Sequence, residues 1–129
     1  MIEKARDNAE TANLLIGWKY PDAAANRLYY ALYHSGWAFM VKRGRGVPQR
    51  QGGSYFPHHD FHRQLDDEDL GGCLGLARDW PEQWDEVLNL RIKADYHRDP
   101  VRLEELDEPL IGFVERVVRR AETFVRGGA

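Results

Sequence analysis

Arginine and histidine recur in this chain at spacings that could set a phosphate grip beside a proton-transfer group. Arg27 and His34 stand seven residues apart, and Arg91 and His97 six apart. Arginine offers phosphate or carboxylate a planar fork of donors. Histidine has the ordinary pKa best suited to moving a proton near neutrality. At about 100° per residue on a helix, seven residues return Arg27 and His34 to nearly one face. Six residues leave Arg91 and His97 diverging by roughly 120°. That second pair converges only where the helix loosens near His97, which Pro100 favours, or where a second copy supplies the other member. Tyr96 adds a stacking ring or a hydroxyl next to His97.

Each of these groups also has a structural reading. Arg27 lies in an apolar segment, and a charge there needs a partner. Asp95 is the candidate: it falls four residues after Arg91, on the same helical face. An Arg27–Asp95–Arg91 cluster between two packed helices would satisfy all three charges and fix helix register. His34, among aromatic residues, reads as a core or interface histidine. Tyr29, Tyr30, Tyr33 and Trp37 read as core or as a dimer face.

Other polar groups say less. His58 and His62 share a helical face, but zinc needs at least one more close ligand, so no metal is expected. Asp60 there is accounted for by capping. Cys73 is alone, which excludes a disulfide framework and a four-cysteine metal site. The glycine-rich stretch 44–57 is basic through Arg45 and Arg50. It reads as a solvated loop or, more sharply, as a phosphate-gripping arm.

The elements that must position these groups are helical. Asp22 to Lys42 runs 21 residues without a proline or turn cluster, apolar around most of its girth, as a central helix touched by several neighbours is. Asp22 suits its cap. A first helix is expected over 2–17, ended by Gly17. A short acidic helix is expected over 60–70, broken by Gly71-Gly72, with a further turn over 73–78. A long helix follows over 80–98, carried by Trp84, Val87, Leu88, Ile92 and Tyr96. The last spans 101–126, kinked or divided by Pro109. Its core positions include Leu103, Leu106, Leu110, Phe113, Val117, Val118, Ala121 and Val125. No strand alternation appears. The expected fold is all-α, a single domain over 1–129: an antiparallel bundle of four main helices plus a short one.

Composition agrees with a core of ordinary size: 129 residues, 43% of them hydrophobic. A net charge of −3 excludes wholesale, charge-driven wrapping of nucleic acid but permits a local basic patch. Glu3, Lys4, Arg6 and Asp7 interrupt any signal pattern, and no run approaches the roughly 18 apolar residues of a membrane span. A cytoplasmic protein is expected.

Two segments together resemble a known family. NRLYYALYH, Asn26 to His34, is similar to the small-Arg-x-Tyr-Tyr-Ala-x-(Phe/Tyr)-His signature of the long helix in HEPN-domain proteins. LRIKADYH, Leu90 to His97, looks like the Arg-x-x-Ala-Asp-Tyr signature of a later helix in small stand-alone members. The resemblance implies an all-α bundle, commonly dimeric, with a role toward RNA or nucleotides and no cofactor. It further implies, for many members, a metal-independent ribonuclease, some of them toxins paired with a nucleotidyltransferase-like antitoxin. The family's motif of Arg, four to six residues, then His maps onto Arg91 and His97, with Arg27, His34, Tyr96 and Asp95 supporting or binding substrate. This chain carries Ile92 directly after Arg91, where the family usually has a polar residue.

Two readings therefore stand. In one, His97 activates a ribose 2′-hydroxyl while arginine stabilises charge on phosphate. In the other, the chain is a non-catalytic module that binds RNA, a nucleotide or a nucleotidyltransferase partner, or serves as a scaffolding homodimer. Ile92 favours the second and His97 the first.

Overall fold

The computed structural model describes residues 1–45 and 58–127, so the basic loop lies outside the described residues from position 46 onward. The order is α1 (Ile2–Gly17), α2 (Pro21–Lys42), α3 (His58–Asp67), α4 (Leu70–Leu74), α5 (Trp80–Tyr96), a 3-10 turn (Leu103–Glu105) and α6 (Glu108–Gly127). The described residues contain no strand. The all-α bundle expected from the sequence is present, with four long helices and the shorter α3 and α4. No helix among the described residues is long and apolar enough to cross a membrane.

The helix α2 is central, packed against α1, α5 and α6. Its buried side includes Leu28, Tyr29, Leu32 and Phe39, joined by Phe61 from α3, Trp84 from α5 and Phe113 from α6. Each large side chain so enclosed contributes about 1.5–3 kcal/mol of transfer free energy. Ala5, Ala9 and Ala12 form the buried side of α1. These small side chains let α1 lie close on α2. Ser35 is buried, and its hydroxyl donates to the Ala31 carbonyl at 2.8 Å, so it brings no unpaired group inside.

Local chemistry sets the ends differently from several expectations. Helix α1 ends at Gly17 as expected, and the turn into α2 then passes through Lys19 in the left-handed region (φ 65°). Pro21 opens α2 behind Tyr20, and the Asp22 carboxylate accepts from the Val101 amide at 2.8 Å instead of capping its own helix. That bond ties the segment after α5 to the start of α2.

Gly71-Gly72 does not break a helix but lies within α4. Asp69 caps that short helix by accepting from Gly72 N, and Gly71 has the Trp80 indole against it. Pro109 sits in the first turn of α6, where its missing N–H costs nothing. The last segment is thus divided, not kinked. Leu106 and Leu110 are buried as expected, but Leu103 is exposed, and Val114 joins the core.

Candidate phosphate-contact site on α5

Arg91 projects from α5 toward α2 and is 14% exposed. Its Nε lies 3.0 Å from Asp95 Oδ2, one turn further along, as an ion pair and not an aligned hydrogen bond. Its other end donates from Nη2 to the Tyr30 hydroxyl at 3.4 Å. The guanidinium carbon stands 5.9 Å from the Tyr29 ring, 5.7 Å from Tyr30 and 5.8 Å from Tyr96, within cation–π range of all three. Two of these rings come from α2. The third, Tyr96, is 72% exposed at the end of α5, contrary to its expected place in the apolar pattern.

The expected Arg27–Asp95–Arg91 cluster forms only in part. Arg91 and Asp95 pair, but the group from α2 that reaches Asp95 is Asn26, whose amide donates at 3.4 Å. Arg27 turns the other way and donates to Asn8 Oδ1 on α1 at 3.2 Å. Neighbouring residues on a helix point about 100° apart, so the side of α2 facing α5 belongs to Asn26 and the side facing α1 to Arg27. Arg27 is exposed and has no need of a buried counter-charge.

His34 packs in parallel on Trp37, ring centres 5.9 Å apart, with Tyr33 at 5.7 Å. Burial lowers its pKa, and Lys4 and the N-terminal ammonium act in the same direction. The neutral imidazole is therefore favoured. Its Nδ1 and the Trp37 Nε1 are enclosed without a hydrogen-bond partner among the described residues.

His97 ends α5 in extended backbone (φ −95°, ψ 151°), and its amide donates to the Lys93 carbonyl at 3.1 Å. It is exposed and lines a groove of about 620 Å³ with Leu90, Lys93 and five carboxylates: Glu82, Asp85, Glu86, Glu105 and Asp107. Lys93 is spent on Glu105, its ammonium 3.0 and 3.1 Å from the two oxygens. The Arg102 amide bonded to Glu105, followed by Lys93, holds that carboxyl below its usual range. The groove is thus negative on balance, and it repels phosphate. Arg91 faces the tyrosines of α2 while His97 lines the groove, so the two address different sides of α5, as their six-residue spacing suggested.

Sequence reasoning missed Tyr30 as a partner of Arg91 and Asn26 as a partner of Asp95. The signal was present in Tyr30, which stands four residues after Asn26 and therefore shares its side of α2. It missed the Lys93–Glu105 pair, which joins α5 to a segment whose position only the fold reveals. His62 does not seek a metal partner on its own helix: its Nδ1 lies 3.1 Å from Asp85 Oδ1 on α5. The side chains of His58 and Asp60 lie outside the described residues.

The family model described as HEPN domain matches residues 1–124. No curated protein matches the chain.

Proposed function

We propose that this chain, which belongs to the HEPN-domain family, binds single-stranded RNA through Arg91 and the tyrosines around it. One observation carries the reading: a guanidinium within 6 Å of three tyrosine rings, with Tyr96 widely exposed beside it. Unpaired RNA offers a phosphate to the cation and a base to the open ring. Asp95 and Tyr30 orient the arginine from opposite ends.

In the catalytic form of this proposal the chain is a metal-independent ribonuclease, of the kind found in toxin–antitoxin pairs, and works as a homodimer. A second copy then brings His97 to a phosphate held by Arg91, where it accepts the 2′-hydroxyl proton. The second reading is a non-catalytic module docked to a nucleotidyltransferase partner. The carboxylate-rimmed groove around His97 favours it, because that groove suits a cationic protein surface better than RNA.

An assay in EDTA separates them. RNA cut by the wild type but not by His97→Ala supports catalysis. Equal cutting by both removes His97 from the active site. RNA bound but uncut supports the binding module, and neither binding nor cutting overturns the RNA reading.

A further inference from the structure

Between α4 and α6, on other elements than the Arg91 site, lies a cavity of about 440 Å³. Its walls include Cys73 and Leu74 from α4 and Arg119, Arg120, Thr123 and Phe124 from α6. Among the described residues no carboxylate lines it. The whole chain carries a net charge of −3, and the groove beside His97 has five carboxylates. Two arginines gathered in a cavity without an acid are therefore not a consequence of composition.

The two arginines are held differently. Leu74 ends α4 and Gly75 caps it in the left-handed region (φ 65°), which leaves their carbonyls without partners inside the helix. Arg120 Nη1 donates to the Leu74 carbonyl at 3.4 Å and to the Gly75 carbonyl. These bonds anchor the guanidinium through one nitrogen and, among the described residues, leave its other donors unpaired. Arg119 is exposed, and the acids near it on α6 are engaged elsewhere. Glu122 lies 3.2 Å from Arg6 Nη1 and from Arg126 Nε, and Glu115 accepts from Asn13 at 3.1 Å. Arg119 thus lines the cavity without a paired carboxylate among the described residues. The Thr123 hydroxyl already donates to the Arg119 carbonyl at 3.1 Å, so recognition of an anion falls to the guanidinium groups.

We propose that this cavity binds a small organic anion. A carboxylate or phosphate head takes the arginine N–H groups, whose fork matches two oxygens at once. The apolar body of the ligand lies on Leu74 and Phe124. The volume falls in the lower part of the range that small-molecule sites occupy. None of these residues takes part in the RNA reading, so the two stand or fall separately.

Cys73, the only cysteine of the chain, is half-buried in the same wall and reports on the cavity. Its alkylation by iodoacetate, an anion, is compared with alkylation by neutral iodoacetamide at one pH and low salt. The ratio of the two rates cancels the thiolate fraction and leaves the effect of local charge. Arg119→Gln should lower that ratio about threefold or more, whereas Arg119→Lys should keep most of it. Circular dichroism checks that both variants fold. In a second arm, phenyl phosphate or benzoate at up to about 10 mM should slow labelling by iodoacetamide, and phenol should not. Protection by phenyl phosphate alone assigns a phosphate head, and by benzoate alone a carboxylate. An unchanged ratio in Arg119→Gln, equal protection by phenol, or protection by neither anion overturns the proposal. Calorimetric titration of the same compounds decides independently of thiol reactivity. Heat with an anion that is lost in Arg119→Gln supports the site, and no heat overturns it.

Discussion

Asp95 Oδ2 stands 3.0 Å from Arg91 Nε and also takes the Asn26 amide at 3.4 Å, so one carboxylate fixes the arginine and ties α5 to α2. Asp95 is 30% exposed, and a partly hydrated pair contributes modestly to stability. Its main effect is on where the guanidinium points. Asp95→Asn keeps the bulk and removes the charge, and should weaken RNA binding by about 1 kcal/mol, roughly fivefold, with little loss of melting temperature. Fluorescence anisotropy with a short single-stranded RNA measures this. Unchanged affinity would show that the guanidinium needs no anchor.

Tyr96 presents an open ring 5.8 Å from the same guanidinium. If the ring stacks on a base, Tyr96→Phe should bind RNA nearly as well as the wild type. Tyr96→Ala should lose about 1–3 kcal/mol, the value of one stacked base. The same titration reads both variants, and equal behaviour of Phe and Ala would remove stacking from the account.

His34 supplies a pH dependence with a definite sign. Burial lowers its pKa in the folded protein, so the unfolded chain protonates first as pH falls through about 6.5. The neutral imidazole therefore favours the fold above that pH, and its contribution is lost as pH drops below it. Melting temperature should fall more steeply between about pH 7.5 and 5.5 for the wild type than for His34→Gln. Parallel curves would contradict the assignment.

Two glycines should answer alanine with opposite signs. At Gly71 a Cβ would lie 2.5 Å from Trp80 Nε1, deep against a buried indole. Gly71→Ala should cost about 1–3 kcal/mol through overpacking despite its better helix propensity. At Gly112, inside α6, a Cβ meets nothing within 4 Å. Gly112→Ala should be neutral to stabilising by up to about 1 kcal/mol. Thermal or urea unfolding of both variants checks the pair.

The long helices were legible because apolar spacing and proline positions are local signals, and Trp84, Val87 and Leu88 pack inward as their spacing required. The Arg91–Asp95 pair was legible for the same reason, since both lie on one helix. The link from α2 was not. Exchanging Arg27 for Asn26 is a rotation of about 100°, and sequence spacing does not fix how a helix is turned against its neighbours. Nor could it show that α4 runs through Gly71-Gly72, since that depends on the Asp69 cap and the packing of Trp80. The negative groove around His97 was hidden too, because Glu105 and Asp107 reach it from beyond α5.

The central claim is that the tyrosine-collared guanidinium of Arg91 contacts RNA phosphate. Its most direct test is the affinity of wild type and Arg91→Met for a short single-stranded RNA, titrated in EDTA at two salt concentrations. Methionine keeps much of the packing between the rings and removes the charge. The account predicts binding about tenfold weaker or more, with a salt dependence reduced by roughly one phosphate contact. Equal affinity and an unchanged salt slope for a folded Arg91→Met would contradict it.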